Sequence, residues 1–259
     1  RTFLFTSQTR LLYRNFIIKS RPNKKNKFIP ARSGRVGLGF NIYGDRNGYF
    51  SNSGIAFTYA YHIPFLNSQM SLGVQTVLSQ YKVDQKGIQF RYPEYKFENL
   101  YKPSYCPDVN VGFFYTNFTK YYIGFSVCNI LQSNIKFGNN ELSNYKIIRH
   151  YYIASGYKYY DNFGIEYEPS VLIKTTEFLQ TQMDLTIKCV FEGFWAGLSY
   201  RTLKTMVAHF GMQWKNYFLT YAFDFDFNAF QRFSYGSHEL TVSMRFGETS
   251  RRKRLEIRY

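Results

Sequence analysis

Apolar and polar residues alternate along most of this chain with a period of two, which is the side-chain period of a β-strand. The stretch HELTVSMRF at 238–246 shows this most clearly, because Leu240 and Val242 point one way while Glu239 and Thr241 point the other. The same alternation recurs near 35–42, 55–62, 70–75, 121–127, 165–174 and 219–226. The pattern predicts an all-β protein, with room for a turn or two of helix only at 129–135.

The segments add up to about thirteen strands of roughly 8–12 residues, a length that suits a strand tilted across a bilayer. They are expected to begin near residues 2, 34, 51, 70, 108, 120, 149, 163, 182, 195, 205, 217 and 237. Long and short connections between the strands follow one another in turn along the chain. Examples of the long ones are 84–107 and 129–148, and examples of the short ones are 117–120 and 159–162. This alternation is typical of outer-membrane barrels, which alternate long outer loops with short periplasmic turns.

The polar faces of these strands consist mainly of small residues (Gly, Ala, Ser, Thr and Asn) with isolated charges. A soluble sandwich would instead expose Lys, Glu and Gln to water, so the polar face fits a crowded lumen and the apolar face fits lipid. We expect the lumen charges to pair with one another, although Asp224 and Asp226 are also suited to binding a cation or a cargo lysine. The predicted lumen charges are Glu166, Glu168, Lys188, Arg201, Asp224, Asp226, Glu239 and Arg245.

The number of strands bears on closure of the predicted barrel. Single-chain outer-membrane barrels usually have an even number of strands and two periplasmic termini. An odd count leaves an edge whose backbone groups lipid cannot satisfy. We therefore expect a further first strand upstream of Arg1, which gives a transmembrane antiparallel β-barrel of about fourteen strands. Residues 1–247 would form this barrel, and 248–259 a basic periplasmic tail.

Composition narrows the class of protein further. No run of apolar residues approaches the roughly 18 that a membrane helix needs, so a helical membrane protein is excluded. The net charge of +16, from 33 Lys and Arg against 17 Asp and Glu, indicates anionic partners or surfaces. Cys106, Cys128 and Cys189 lack metal-ligand spacing and are expected to be inert thiols.

Two basic clusters fall on the periplasmic side of the predicted topology. They either anchor on anionic headgroups or form an electropositive dock for an acidic periplasmic partner. The residues of this dock are Lys24, Lys25, Lys27, Arg251, Arg252, Lys253 and Arg254.

An aromatic and basic loop, 88–105, is predicted on the outer side. Tyrosine-rich loops make protein contacts at low entropic cost, so the loop is a candidate for cargo recognition. Alternatively it folds inward and plugs the lumen. Its aromatic residues are Phe90, Tyr92, Tyr95, Phe97, Tyr101 and Tyr105.

The sequence gives little indication of catalysis. A barrel enzyme would need a nucleophile and a base held together, but His150 and Ser155 are spaced for opposite faces of one strand. There is no G-x-S-x-G motif, phosphate-binding loop or metal-ligand cluster in the sequence. We therefore expect neither an enzyme nor a cofactor.

Several segments resemble one known family. The stretch RVGLGFNIYGDRNGYFSNSGIAFTYAYHIPF at 35–65 is similar to the PorP/SprF outer-membrane proteins of the type IX secretion system of Bacteroidota, and it contains their YAYHIP motif at 59–64. RHYYIASGYKY, FEGFWAGLSYR and SYGSHELTVSMRF also resemble family segments, in the family's order. Three features depart from the family: its N-terminal region is absent, 11–34 is longer and more basic, and Cys128 stands where Pro is common.

The resemblance implies an outer-membrane barrel that helps to deliver or anchor secreted surface proteins, including adhesins and gliding-related proteins. The implied partners are outer-membrane lipid, a secreted cargo protein or its C-terminal domain, and the periplasmic ring and lipoprotein components; no nucleic acid is expected. Two other classes stay open from the residues alone. One is a passive porin or hydrophobic-solute channel, and the other is a soluble basic β-protein that binds polyanions.

Overall fold

The structure is a computed structural model that describes residues 1–11, 35–65, 67–84, 103–135, 145–178, 181–202, 204–227 and 236–246. Within these ranges the chain forms sixteen β-strands. They are β1 (Thr2–Leu11), β2 (Val36–Asn47), β3 (Phe50–Pro64), β4 (Ser68–Val83), β5 (Ser104–Asn117), β6 (Tyr121–Cys128), β7 (Asn134–Ile135), β8 (Tyr145–Lys146), β9 (His150–Tyr157), β10 (Tyr159–Tyr160), β11 (Glu166–Thr176), β12 (Gln182–Phe191), β13 (Phe194–Arg201), β14 (Thr205–Trp214), β15 (Tyr217–Asp226) and β16 (Ser237–Met244).

Fourteen of these strands belong to one antiparallel sheet, in which thirteen long strands follow one another in chain order and the short β10 pairs with β11. β7 and β8 form a separate two-stranded sheet. The predicted all-β fold and its large antiparallel sheet are confirmed. Among the described residues, no helix is long and apolar enough to cross a membrane.

The chain divides into two compact units, and unit 1 comprises Arg1–Phe118, Tyr122–Ile153 and Lys174–Gln180. Here β1 to β6 form a continuous meander of antiparallel neighbours. Phe40 lies opposite Ser7 on one side and Phe57 on the other, and the two phenyl rings are 4.9 Å apart. Contacts of this kind between directly opposed side chains stabilise the register.

Unit 2 comprises Thr119–Tyr121, Ala154–Ile173 and Thr181–Tyr259. Its strands β12 to β16 form a second meander. The two-residue turn between β12 and β13 consists of Glu192 and Gly193, both with positive φ (44° and 87°). This is the signature of a type I′ turn, whose twist matches that of the flanking strands, and it ties β12 tightly to β13.

The distribution of buried residues is the reverse of that in a soluble protein. Only four hydrophobic residues are buried among those described: Ala56, Val83, Cys106 and Val207. Large apolar side chains are instead exposed along one face of the strands, as Ile187 (62%) and Leu240 (69%) illustrate. We call this the apolar face and the opposite one the polar face.

No second sheet of the described strands covers the apolar face at Leu240 or Phe225, where the alternation of apolar and polar residues is clearest. Leu240 is exposed, and Phe225 is only half-buried, with its ring edge-on to that of Phe227 at 5.1 Å. A run of exposed Leu, Ile, Val and Phe over many strands exceeds the few hundred Å² of apolar patch that water-facing monomers carry. The apolar face therefore requires an apolar solvent.

The structure corrects the sequence analysis at 129–135. This segment contains no helical turn; it is irregular until it enters β7, with positive φ at Asn129 (60°) and Gln132 (52°). Its conformation is set by contacts with β5, described below.

Candidate functional site

The polar face of unit 2 carries the predicted charges, and the first of them form two ion pairs. The Lys188 ammonium lies 2.7 Å from a carboxylate oxygen of Glu168, and Lys158 lies 3.1 Å from Glu166. Glu168 is buried, whereas Lys188 is about one-third exposed. A buried carboxylate is costly without a cation beside it, so Lys188 offsets the charge that β11 places on this face.

Arg201, on β13, links two carboxylates of the same unit, one on β12 and one on β15. Its Nε lies 3.3 Å from Asp184, and its Nη1 lies 3.7 Å from Asp224. Asp184 also accepts a hydrogen bond from the amide of Gln182. Because the side-chain period is two, Asp184, Thr186 and Lys188 share this face of β12, and the arginine joins β12 to the strands that follow.

The remaining predicted charges lie towards the end of the meander. Asp226 accepts a hydrogen bond from the Thr205 hydroxyl, which lies directly opposite it. Glu239 is opposite Ala222, and Arg245 follows β16 with its guanidinium 4.8 Å from the centre of the Phe218 ring. All eight predicted charges of unit 2 thus lie on the polar face.

A hydrogen-bonded row crosses β12, β13 and β14 between these charges. Ser199 Oγ lies 2.6 Å from Thr186 Oγ1 and 2.7 Å from His209 Nε2. A serine and a histidine at this distance resemble a catalytic dyad, but Ser199 is only 7% exposed and its hydroxyl is held between two strands. The row is best explained as a cross-strand ladder that satisfies polar groups on the polar face.

The polar face of unit 1 carries a longer row of neutral groups. The amide of Gln75 donates to Thr58 Oγ1 at 2.8 Å, and Asn110 donates to Gln75 at 2.8 Å. The row ends at the backbone N–H of Asn129, which donates to Asn110 Oδ1 at 2.9 Å. It therefore connects β3, β4 and β5 to the connection that follows β6.

That connection lies directly on the polar face of β5. Asp108, only 4% exposed, accepts hydrogen bonds through Oδ1 from the N–H groups of Val109 (2.7 Å) and Leu131 (3.1 Å). The N–H of Ile130 donates to the carbonyl of Val109 at 3.0 Å. Residues 129–135, which we call the strap, are thereby fixed to the strand.

A second carboxylate fastens the strap from its other side. Glu177 accepts hydrogen bonds from Gln132 Nε2 (3.2 Å), Arg149 Nη1 (3.3 Å) and the hydroxyl of Tyr151 (3.3 Å). Arg149 Nε also donates to the carbonyl of Ile130 at 3.2 Å. Glu177 therefore binds both the strap and the start of β9.

The alternation pattern also marks two polar-face carboxylates that are not among the predicted charges. Asp184 has the same parity as Lys188, and Asp108 has the same parity as Asn110, so both were identifiable as polar-face residues. Glu177 and Lys158 lie outside the long strands, and nothing local in the sequence points to their contacts.

Several predicted residues lie outside the described part of the chain. These are Phe90, Tyr92, Tyr95, Phe97 and Tyr101 of the aromatic loop, and Lys24, Lys25, Lys27, Arg251, Arg252, Lys253 and Arg254 of the two basic clusters. Tyr105 is described and does not belong to a loop. It lies within β5 on the apolar face, and its hydroxyl accepts a hydrogen bond from Gln80 at 2.8 Å.

The three thiols form no disulfide bonds with one another in the structure. Cys106, Cys128 and Cys189 are free cysteines, the first fully buried and the other two half-buried. No group of three or more His, Cys, Asp or Glu side chains that could hold a metal ion occurs in the part of the chain that the structure describes.

The exposed apolar face and the charged polar face define a membrane-embedded β-protein. Residues 7–244 match the family described as type IX secretion system membrane protein PorP/SprF. The chain belongs to this family, as its motifs predicted. No curated protein and no solved structure was found to match it.

Proposed function

We propose that this protein is an outer-membrane β-barrel that helps the type IX secretion system to deliver or anchor secreted proteins at the cell surface. The observation that supports it most directly is the reversed burial of the sheet, with apolar side chains exposed and charges paired on the opposite face. Family membership supplies the link to secretion.

Closure of the sheet into a barrel follows from the chemistry of the solvent. In lipid an unpaired strand edge leaves N–H and C=O groups without partners, each costing several kcal/mol, so strands cross membranes only in closed barrels. The polar face would then line the lumen, and the eight predicted charges would stand on its wall. The ladder arrangement of Ser199 and His209 supports a role without catalysis.

The partners that we assign follow from two surfaces predicted from the sequence. The aromatic segment from Phe90 to Tyr101, without Tyr105, would contact the secreted cargo on the outer side. The basic clusters at 24–27 and 251–254 would contact acidic periplasmic components of the apparatus, with both termini in the periplasm.

The proposal is tested by purifying an affinity-tagged full chain from its native host in detergent and identifying the proteins that co-purify. Replacing Arg251, Arg252, Lys253 and Arg254 by Gln should reduce recovery of the ring and lipoprotein components while leaving the cargo bound. Replacing Tyr92, Tyr95 and Tyr101 by Ser should do the opposite. Unchanged recovery of both sets in both variants would refute the assigned surfaces. Release of the chain by alkaline carbonate would refute the barrel itself.

A further inference from the structure

The strap, residues 129–135, is bonded to the polar face of unit 1 at successive points. Besides the contacts of Asp108 and Ile130, the hydroxyl of Ser133 donates to the carbonyl of Pro107, and the Cys106 thiol lies 3.6 Å from the carbonyl of Asn134. The bonds therefore follow β5 over four residues, from Val109 back to Cys106. A connection that only joined two strands would not need hydrogen bonds to β5 at each of these residues.

The strap is also supported on the side away from β5. The N–H of Ile147 donates to the carbonyl of Ser133 at 3.1 Å, and β7 pairs with β8 through Ile135 and Tyr145. Glu177 then fixes Gln132, which is itself buried. Two carboxylates, Asp108 and Glu177, thus hold the strap from opposite sides.

The burial of β5 shows what the strap covers. Cys106 has no exposed surface and Asp108 is 4% exposed, whereas Asn110 on the same face of β5 and Gln75 opposite it on β4 keep partial exposure. The second oxygen of Asp108, Oδ2, is buried with no hydrogen-bond partner among the described residues. Such an atom carries a desolvation cost, which the hydrogen bonds that Oδ1 accepts from the Leu131 N–H of the strap and from the Val109 N–H of β5 help to offset.

We propose that the strap is a closing element, fixed over the polar face by Asp108 and Glu177, that keeps the inside of the barrel shut to solute until a partner displaces it. This inference rests on the proposed barrel, because only a closed barrel gives the polar face a lumen to obstruct. It assigns the obstruction to residues 129–135, next to the ends of β5 and β6. Asp108 and Glu177 are positioning residues in this account.

The test uses Cys106 as a native reporter beneath the strap. In a full-length parent carrying Cys128→Ser and Cys189→Ser, Cys106 is the sole thiol, and its reaction with a membrane-impermeant maleimide is followed in proteoliposomes. Asp108→Ala removes the charge-assisted hydrogen bond that the carboxylate accepts from the Leu131 N–H of the strap, and it should speed labelling about tenfold because opening of the strap becomes easier. Asp108→Asn keeps the acceptor oxygen and should label at nearly the parent rate. Asp45→Ala is a matched control, since its carboxylate accepts a bond from Thr2 on β1 and none from the strap.

A second measurement reads the consequence for the lumen. In planar bilayers the parent should show rare openings, and Asp108→Ala should show frequent ones. If Asp108→Ala does not fold, Glu177→Ala provides the same comparison from the other side of the strap. Equal labelling rates and equal conductance in the parent and the folded variants would contradict the closing role of the strap. A parent that is already rapidly labelled and conducting would contradict it too.

Failure of the barrel proposal would look different. In that case the parent itself would show no heat-dependent shift on a denaturing gel and would be extracted by alkaline carbonate, whatever the labelling rates. The parent could instead be heat-modifiable and retained in the membrane, with a labelling rate that does not change on substitution of Asp108 or Glu177. That result would refute only the closing role of the strap.

Discussion

The indole ring of Trp195 lies over Gly211, the residue directly opposite it on the neighbouring strand. A Cβ placed on Gly211 would stand 2.2 Å from the ring atoms, which no real contact allows. In unit 1, Tyr43 covers Gly54 and Phe3 covers Gly44 in the same directly opposed way. An aromatic ring that covers a glycine shields the backbone there and fixes the register of the pair.

Gly211→Ala should destabilise the protein because the methyl group forces the Trp195 ring off the sheet. The expected loss is about 1–3 kcal/mol, the usual range for overpacking. It is measured as a lower urea midpoint for the heat-modifiable form in lipid vesicles. Gly73→Ala is the matched control, since the nearest atom to its added methyl is 3.8 Å away, and it should leave the midpoint unchanged. Equal effects of the two substitutions would contradict the role of the ring.

The Lys188–Glu168 pair should contribute measurably to stability because Glu168 is buried. Lys188→Met leaves that carboxylate without its cation and should cost about 2–3 kcal/mol, a value reduced for the partial exposure of the lysine. Adding Glu168→Gln should restore much of the loss, which a double-mutant cycle measures as a coupling energy.

The exposed pair Arg46–Asp84 gives the comparison for this cycle. Its side chains are 65% and 41% exposed at a similar separation of 3.0 Å. Its coupling should be about 0–1 kcal/mol. A coupling energy as large as that of Lys188–Glu168 would show that burial on the polar face does not strengthen an ion pair.

A charge on the apolar face should impair membrane insertion, whereas a charge on the next residue should not. Leu240→Arg places a guanidinium near the middle of β16 on the exposed apolar side and should cost about 2–4 kcal/mol, the range for Arg at a bilayer midplane. Thr241→Arg turns the same group to the polar face. The fraction of chain retained after carbonate washing distinguishes them, and equal retention would argue against lipid on the side of Leu240.

Local alternation of apolar and polar residues predicts much of the fold. A strand with one face in lipid and the other in a polar interior carries an apolar residue at every second position. Five strands begin at the predicted residues 2, 182, 205, 217 and 237, namely β1, β12, β14, β15 and β16. The sequence predicts that β5 begins near residue 108. It begins at Ser104 instead, and Pro107 lies within the strand opposite Leu78, with its carbonyl accepting a hydrogen bond from Ser133.

The strap could not be predicted in the same way. Its sequence has no period, and its conformation depends on Asp108 and Glu177, which lie far from it along the chain. The positive φ of Gln132 is uncommon for its residue type, and the side chain there is held by the distant Glu177. The polar-face charges were locatable by parity, but their actual partners depended on the register between strands. Asp184 was therefore missed as a partner of Arg201.

The central claim is that lipid wets the side of the sheet that bears Leu240, and a spin-label scan of residues 238–244 tests it most directly. Each position is replaced in turn by a labelled cysteine in a background without native cysteines, in vesicles. Labels at 240, 242 and 244 should collide with lipid-soluble oxygen, and labels at 239, 241 and 243 with a water-soluble nickel chelate. Labels at 240, 242 and 244 that are shielded from both reagents, or reached by the chelate, would contradict the account.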